Sequence, residues 1–126
     1  MIKFMLDTNI CIYLMQEQPE AVIARFRQCR KGEVVISSIT WAELSCGLNI
    51  HNDETQFAEI LSMIKVMPFE IKAATVFGEL SQKFPNRKSS FDKMIAAHAM
   101  ALDVILVTNN VSDFDFYGIK IENWTI

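Results

Sequence analysis

Residues 104–108, VILVT, are five consecutive apolar or β-branched side chains and form the purest buried-strand signal in the chain. A strand with one face in water alternates apolar and polar residues. An unbroken run has both faces covered, which is the habit of strands in parallel sheets. Working outward, IKFML (2–6) reads the same way with only Lys3 interrupting, and EVVISS (33–38) is a second β-branched run. VMPF (66–69) is a shorter strand whose Pro68 predicts a sheet edge or a strand end, because proline donates no ladder hydrogen bond. IKIENW (119–124) closes the chain as a short strand.

Helical patterns separate these strands. Residues 9–15 form a short helix or a turn, and 19–32 form a helix with Pro19 at its start and Gly32 as its C-terminal cap. A helix over 39–51 carries a stripe of Ile39, Ala42, Cys46 and Ile50; another over 54–65 carries Phe57, Ile60, Leu61 and Ile64. Helices over 70–82, with Ala73, Ala74, Phe77 and Leu80 at helical spacing, and over 90–103 precede the VILVT strand. The order β-α-β-α-α-β-α-α-β-α-β predicts an α/β protein: a parallel sheet covered by helices on both faces. Polar KFPNRKSS (83–90) is the longest expected loop, and NNVSDFDFYG (109–118) is a loop with a helical turn.

With 126 residues, 51% hydrophobic and 21% charged, the chain suits a single domain over 1–126 with a proper core. Cys11, Cys29 and Cys46 are odd in number and lack C-x-x-C spacing, so they read as free thiols in a reducing compartment. No secretory leader and no apolar run of membrane-spanning length is evident, giving the expectation of a soluble, cytoplasmic protein without a membrane partner. The net charge of −3 argues against nucleic acid gripped over the whole surface, but leaves room for a local basic rim. Two basic clusters qualify: Arg25, Arg27, Arg30 and Lys31, and then Lys83, Arg87, Lys88 and Lys93.

In open parallel sheets, sites form at the carboxyl ends of the strands. Asp7 follows the first strand, and Thr108-Asn109-Asn110 ends the fourth. Glu43, in Thr40-Trp41-Ala42-Glu43, follows the second strand; Asp92, in Ser89-Ser90-Phe91-Asp92, opens the helix before the fourth. Each of these two fits a Ser/Thr-x-x-acid cap, and carboxylates are favoured at helix amino ends with no catalysis at all. Converged on one rim, however, the three acids repel, and a divalent cation offsets that cost. Carboxylates without His or Cys partners match a hard ion, Mg²⁺ or Mn²⁺, rather than zinc. Asn110 and Asp113 are alternative fourth ligands, and Thr8 and Asn9 either orient Asp7 and contact substrate or are plain turn residues. His51 reads as a helix-end residue and His98 as a surface or partly packed one.

MLDTN (5–9), SSITWAEL (37–44), DKMIAAHA (92–99) and ILVTNN-x-x-DF (105–114), in that order, resemble the PIN-domain family, and within it the VapC toxins of bacterial toxin–antitoxin pairs. The resemblance spans essentially the whole chain. It implies a PIN-like three-layer α/β/α sandwich with a short, mainly parallel sheet, and a Mg²⁺- or Mn²⁺-dependent endoribonuclease. It further implies cleavage of structured RNA, tRNA among the candidates, a toxin homodimer, and inhibition by a VapB-type antitoxin laid in a groove near the active site. Asp7, Glu43 and Asp92 match the family's three acids, with Asp7 and Asp92 as direct metal ligands and Glu43 binding directly or through water. Asn110 stands where the family often has a further acid, and Asp113 matches the acid of its DF pair. Thr108 and Asn109 support the site. Lys83, Arg87, Lys88 and Lys93 flank the Asp92 motif and are candidates for RNA phosphates.

The rival from another class is a non-catalytic metal- or protein-binding module whose carboxylates cap helices. Enzymes on small phosphate compounds have little support, since neither G-x-G-x-x-G nor a P-loop is present.

Overall fold

The computed structural model describes residues 1–47, 58–59, 62–85 and 90–126. The strands are β1 (Phe4–Leu6), β2 (Val34–Ser37), β3 (Lys65–Met67), β4 (Ile105–Val107) and β5 (Ile121–Glu122). The helices are α1 (Thr8–Gln16), α2 (Glu20–Arg27), α3 (Ser38–Gly47), α4 (Ile71–Lys83) and α5 (Phe91–Leu102). Two 3₁₀ turns, Val111–Asp113 and Asp115–Tyr117, fill the expected loop between β4 and β5.

All four strand pairings are parallel, and the order across the sheet is β3-β2-β1-β4-β5. The unbroken apolar runs are explained by alternation between two cores. Phe4, Leu6, Val34, Ile36 and Val107 face one cluster with Ile10, Leu14 and Val22 of α1 and α2. Met5, Val35 and Leu106 face the other with Leu80 of α4 and Ile95, Ala96 and Ala99 of α5. Successive side chains point to opposite faces of a strand, so a strand roofed on both sides is apolar at every position. The result is the expected α/β/α sandwich.

Pro68 lies just past β3, which is the edge strand next to β2, as its missing N–H requires. Pro19 caps α2 from outside the helix rather than opening it. Gly32 does not cap α2, which ends at Arg27; with φ +92° it makes the turn into β2, in backbone space that favours glycine.

Other expectations need correction. In α3 the proposed stripe holds at Ile39, which packs against the second core, but fails at Ala42 and Cys46, which are exposed, whereas Thr40 and Leu44 are buried. Ala74 of α4 is likewise exposed. Lys65 belongs to β3 and not to the end of the preceding helix, of which 58–59 and 62–63 are described as helical. Ile50, His51, Phe57, Ile60 and Leu61 lie outside the described residues. Leu14 and Ile64 are core residues, and Ile12 and Tyr13 pack against the same core.

Candidate active site

The chain starts in the middle of the sheet at β1, moves outward through β2 and β3, and returns to the other side of β1 for β4 and β5. β1 and β4 are therefore neighbours whose onward connections leave in opposite directions, the switch point at which sheets of this kind bind ligands. Asp7 stands at that point. Its N–H donates to the Val107 carbonyl at 2.9 Å, continuing the ladder one residue past β1. Its side chain then turns to cap α1: Oδ1 accepts from the Thr8 N–H at 2.6 Å, and Oδ2 accepts from Thr108 Oγ1 at 2.8 Å.

Two donors would ordinarily favour the carboxylate, yet the Asp7 pKa is raised. Burial dominates, leaving the side chain 4% exposed, and the charges of Glu43 and Asp113 push in the same direction. The half-buried Asp92 is raised too, first by desolvation and then by the charges of Asp7 and Asp113. Four acids from four parts of the chain thus feel one another at one rim. This is a costly arrangement for a fold with nothing to gain from it.

The capping explanations fail for the other two acids. Thr40 Oγ1 is buried without a hydrogen-bond partner among the described residues, so it completes no box with Glu43. Glu43 Oε1 instead accepts from Thr8 Oγ1 at 2.7 Å, in the first turn of α1. At α5 the cap is Ser90, whose Oγ accepts from Lys93 N–H at 3.2 Å; the fourth residue of that pattern is Lys93, not an acid. Asp92 lies in the first turn of α5, beside rather than within that cap.

Thr108 links the sheet to the loop beyond it: its N–H donates to the Glu122 carbonyl at 3.0 Å, and its Oγ1 accepts from Asn110 N–H at 3.0 Å while donating to Asp7. Asn109 Nδ2 donates to the Tyr13 hydroxyl at 2.9 Å, leaving its buried Oδ1 without a partner among the described residues. Asn9 is half-buried in the first turn of α1. Asp113 is exposed at the end of the first 3₁₀ turn, and Asn110 precedes that turn.

The donor set is all oxygen, which fits a hard divalent cation. Among the described residues no three His, Cys, Asp or Glu side chains are already gathered closely enough to hold a metal.

Two sequence assignments are overturned. Lys93 is not on the rim: it is 1% exposed, with its ammonium 5.9 Å from the Phe77 ring centroid. His98 is not a surface residue but 2% exposed, with Nδ1 2.7 Å from Ser37 Oγ. Lys83 is exposed at the end of α4, while Arg87 and Lys88 lie outside the described residues. The other basic cluster is divided. Arg25 pairs with Glu122 at 2.6 Å and stacks on Phe4 and Trp124, whereas Arg30 and Lys31 precede β2, at the amino ends of the strands and so opposite Asp7. Arg27, Arg30 and Lys31 there border an apolar cleft of about 380 Å³ with Phe26 and Met63.

An acidic, all-oxygen rim at the switch point of a parallel sheet is the layout of a hard-cation site open to a phosphate ester. The family model for the PIN domain matches residues 4–119. The tRNA(fMet)-specific endonuclease VapC of Shigella flexneri is 37% identical, with 99% of this chain and 100% of that protein covered. Ribonuclease VapC2 of Haemophilus influenzae is 36% identical over 98% of this chain and 99% of its own. In the crystal structure of DNA-bound VapBC from Salmonella typhimurium, the matching chain is 33% identical with a TM-score of 0.89, covering 98% of this chain and 99% of that one. The chain belongs to the PIN-domain family. Within that family it is of the VapC type, the ribonuclease toxins.

Proposed function

We propose that residues 1–126 form one nuclease domain that cleaves structured RNA with Mg²⁺ or Mn²⁺ held by Asp7 and Asp92. The observation that carries this reading is the Asp7 carboxylate, buried at the carboxyl end of β1 and held by Thr8 and Thr108, with Glu43 tied to the same Thr8. Asp7 and Asp92 would hold the cation, which would supply activation of water and neutralisation of phosphate charge. Thr8 and Thr108 hold the Asp7 carboxylate in one orientation, and Thr8 ties Glu43 to the same helix turn. Glu43 aligns the attacking water, and Asn110 or Asp113 completes the acceptor set. Lys83, with Arg87 and Lys88, meets RNA phosphates along the approach to Asp92. Water attack leaves a 5′-phosphate and a 3′-hydroxyl.

The tRNA specificity of the Shigella relative supports tRNA as the substrate class. A VapB-type antitoxin is the inhibitory partner, as the VapBC assembly of the Salmonella neighbour supports. A homodimer is supported by apolar side chains left exposed on α4 and α5, namely Ile71, Phe91 and Met100. No described helix is long and apolar enough to cross a membrane. The three free cysteines support a cytoplasmic setting.

The experiment is incubation of purified total RNA with the protein and Mg²⁺, or with chelator, followed by end mapping. Cleavage confined to the Mg²⁺ arm, with 5′-phosphate ends, is the expected result. RNA left intact in both arms would favour a binding module. Light scattering across dilution tests the homodimer, which a persistent monomer at micromolar concentration would exclude.

A further inference from the structure

β2 ends in Ser37, and α3 begins at the next residue. Ser37 is fully buried, and its Oγ accepts from the Ile39 N–H at 3.0 Å in the first turn of α3. The same Oγ lies 2.7 Å from Nδ1 of His98, which projects from α5 sixty-one positions further along the chain. With the hydroxyl oxygen already accepting from Ile39, the arrangement satisfying both side chains has Ser37 Oγ–H donating to Nδ1 of a neutral imidazole. Desolvation holds the His98 pKa below its ordinary value, in keeping with that neutral form. Phe69 meets the imidazole edge-on at 5.5 Å, and its own N–H donates to Ser38 Oγ at 2.9 Å. One buried junction therefore joins the end of β2, the start of α3, the chain after β3 and the middle of α5.

Ala96, Ala97 and Ala99, which flank His98 in α5, are all buried and carry no hydrogen-bonding side chain, so the directional contact at this junction is the one His98 makes. A hydrogen bond between buried partners is directional, and leaving either partner unpaired is costly. The two helices it joins are those that carry acids to the rim: Glu43 on α3, Asp92 on α5.

We propose that the Ser37–His98 hydrogen bond is a positioning device, fixing α3 against α5 and thereby Glu43 relative to Asp92 during RNA cleavage. The inference rests on the reading of Glu43 and Asp92 as the acting acids. Neither Ser37 nor His98 touches substrate; both act through the helices they join.

The test uses Ser37→Ala, which removes the hydroxyl, His98→Phe, which keeps bulk without the bond, their combination, and His98→Asn, which restores a polar group near Nδ1. Folding is checked by circular dichroism and melting, and single-turnover cleavage is measured per folded molecule. Each single change lowers kcat by roughly 10- to 100-fold, the scale expected of a small misplacement of reacting groups, with KM for RNA within about twofold. The double change costs no more than either single one, and His98→Asn recovers most of the loss. Retention of kcat within about twofold by the folded single variants would overturn the proposal. So would unfolding of both at the assay temperature, which would make the pair a stability element only. Glu43→Gln and Asp92→Asn run alongside: if they cleave normally, the reading of the site has failed. If they are inactive while the Ser37 and His98 variants are not, only the positioning role has failed.

Discussion

Thr108 Oγ1 donates to Asp7 Oδ2 at 2.8 Å, joining the residues that follow two adjacent parallel strands, 101 positions apart in sequence. The same oxygen accepts from the Asn110 N–H. Thr108→Val keeps the shape and removes both bonds. It is expected to cost about 1 kcal/mol of stability by denaturant melting. It should also raise the Asp7 carboxyl further, because the threonine bond lowers it. Cleavage near neutral pH should fall with weakened cation affinity, and unchanged affinity would show that Thr108 does not orient the carboxylate.

Asp7→Asn separates activity from stability. The Asp7 pKa is raised in the folded protein, so the fold holds that proton more tightly than the unfolded chain does. Ionisation therefore removes stability as pH climbs from the unfolded carboxyl range through the folded value. A neutral amide avoids that cost and still accepts from Thr8. The variant should melt no lower than wild type at neutral pH while losing at least about a hundredfold in turnover. A large drop in Tm would assign Asp7 to the fold instead.

Because Asp7 and Asp92 are both shifted upward, protons compete with a cation above the ordinary carboxylate range. Titration of Mn²⁺ at about pH 7.5 and about pH 5.5 should show weaker binding at the lower value and proton release on binding. Affinity equal at both would mean that these carboxylates are not the ligands.

Lys93 and the loop before it should behave oppositely. Lys93→Ala empties a buried site beside Phe77 and should cost about 2 kcal/mol or more. Arg87→Ala combined with Lys88→Ala should leave stability alone, weaken RNA binding across sequences and flatten its salt dependence. Binding measured at several salt concentrations decides between them.

Which parts were legible from sequence follows from physics. The central strands were readable because burial on both faces leaves an unbroken apolar run, as at Met5 between Phe4 and Leu6. Asp7 stood out because it ends such a run, where a turn, a helix cap or a site would each account for a carboxylate, and the cap is indeed made. His98 was misread because a lone imidazole in a helix gives no sign of its partner: Ser37, sixty-one positions away, supplies the reason for its burial. Lys93 was misread because a lysine is almost never fully buried. The α3 stripe failed because that helix packs through Thr40 and Leu44, and a buried threonine is invisible to an apolar pattern.

The most direct test pairs calorimetric titration of Mn²⁺ with end-mapped cleavage of RNA, on the same preparations of wild type, Asp7→Asn and Asp92→Asn. Wild type is expected to bind the ion and release 5′-phosphate ends, and both folded variants to lose the titration and at least about a hundredfold of the cleavage. Near-wild-type cleavage by either folded variant would contradict the assignment of these two carboxylates to the reaction.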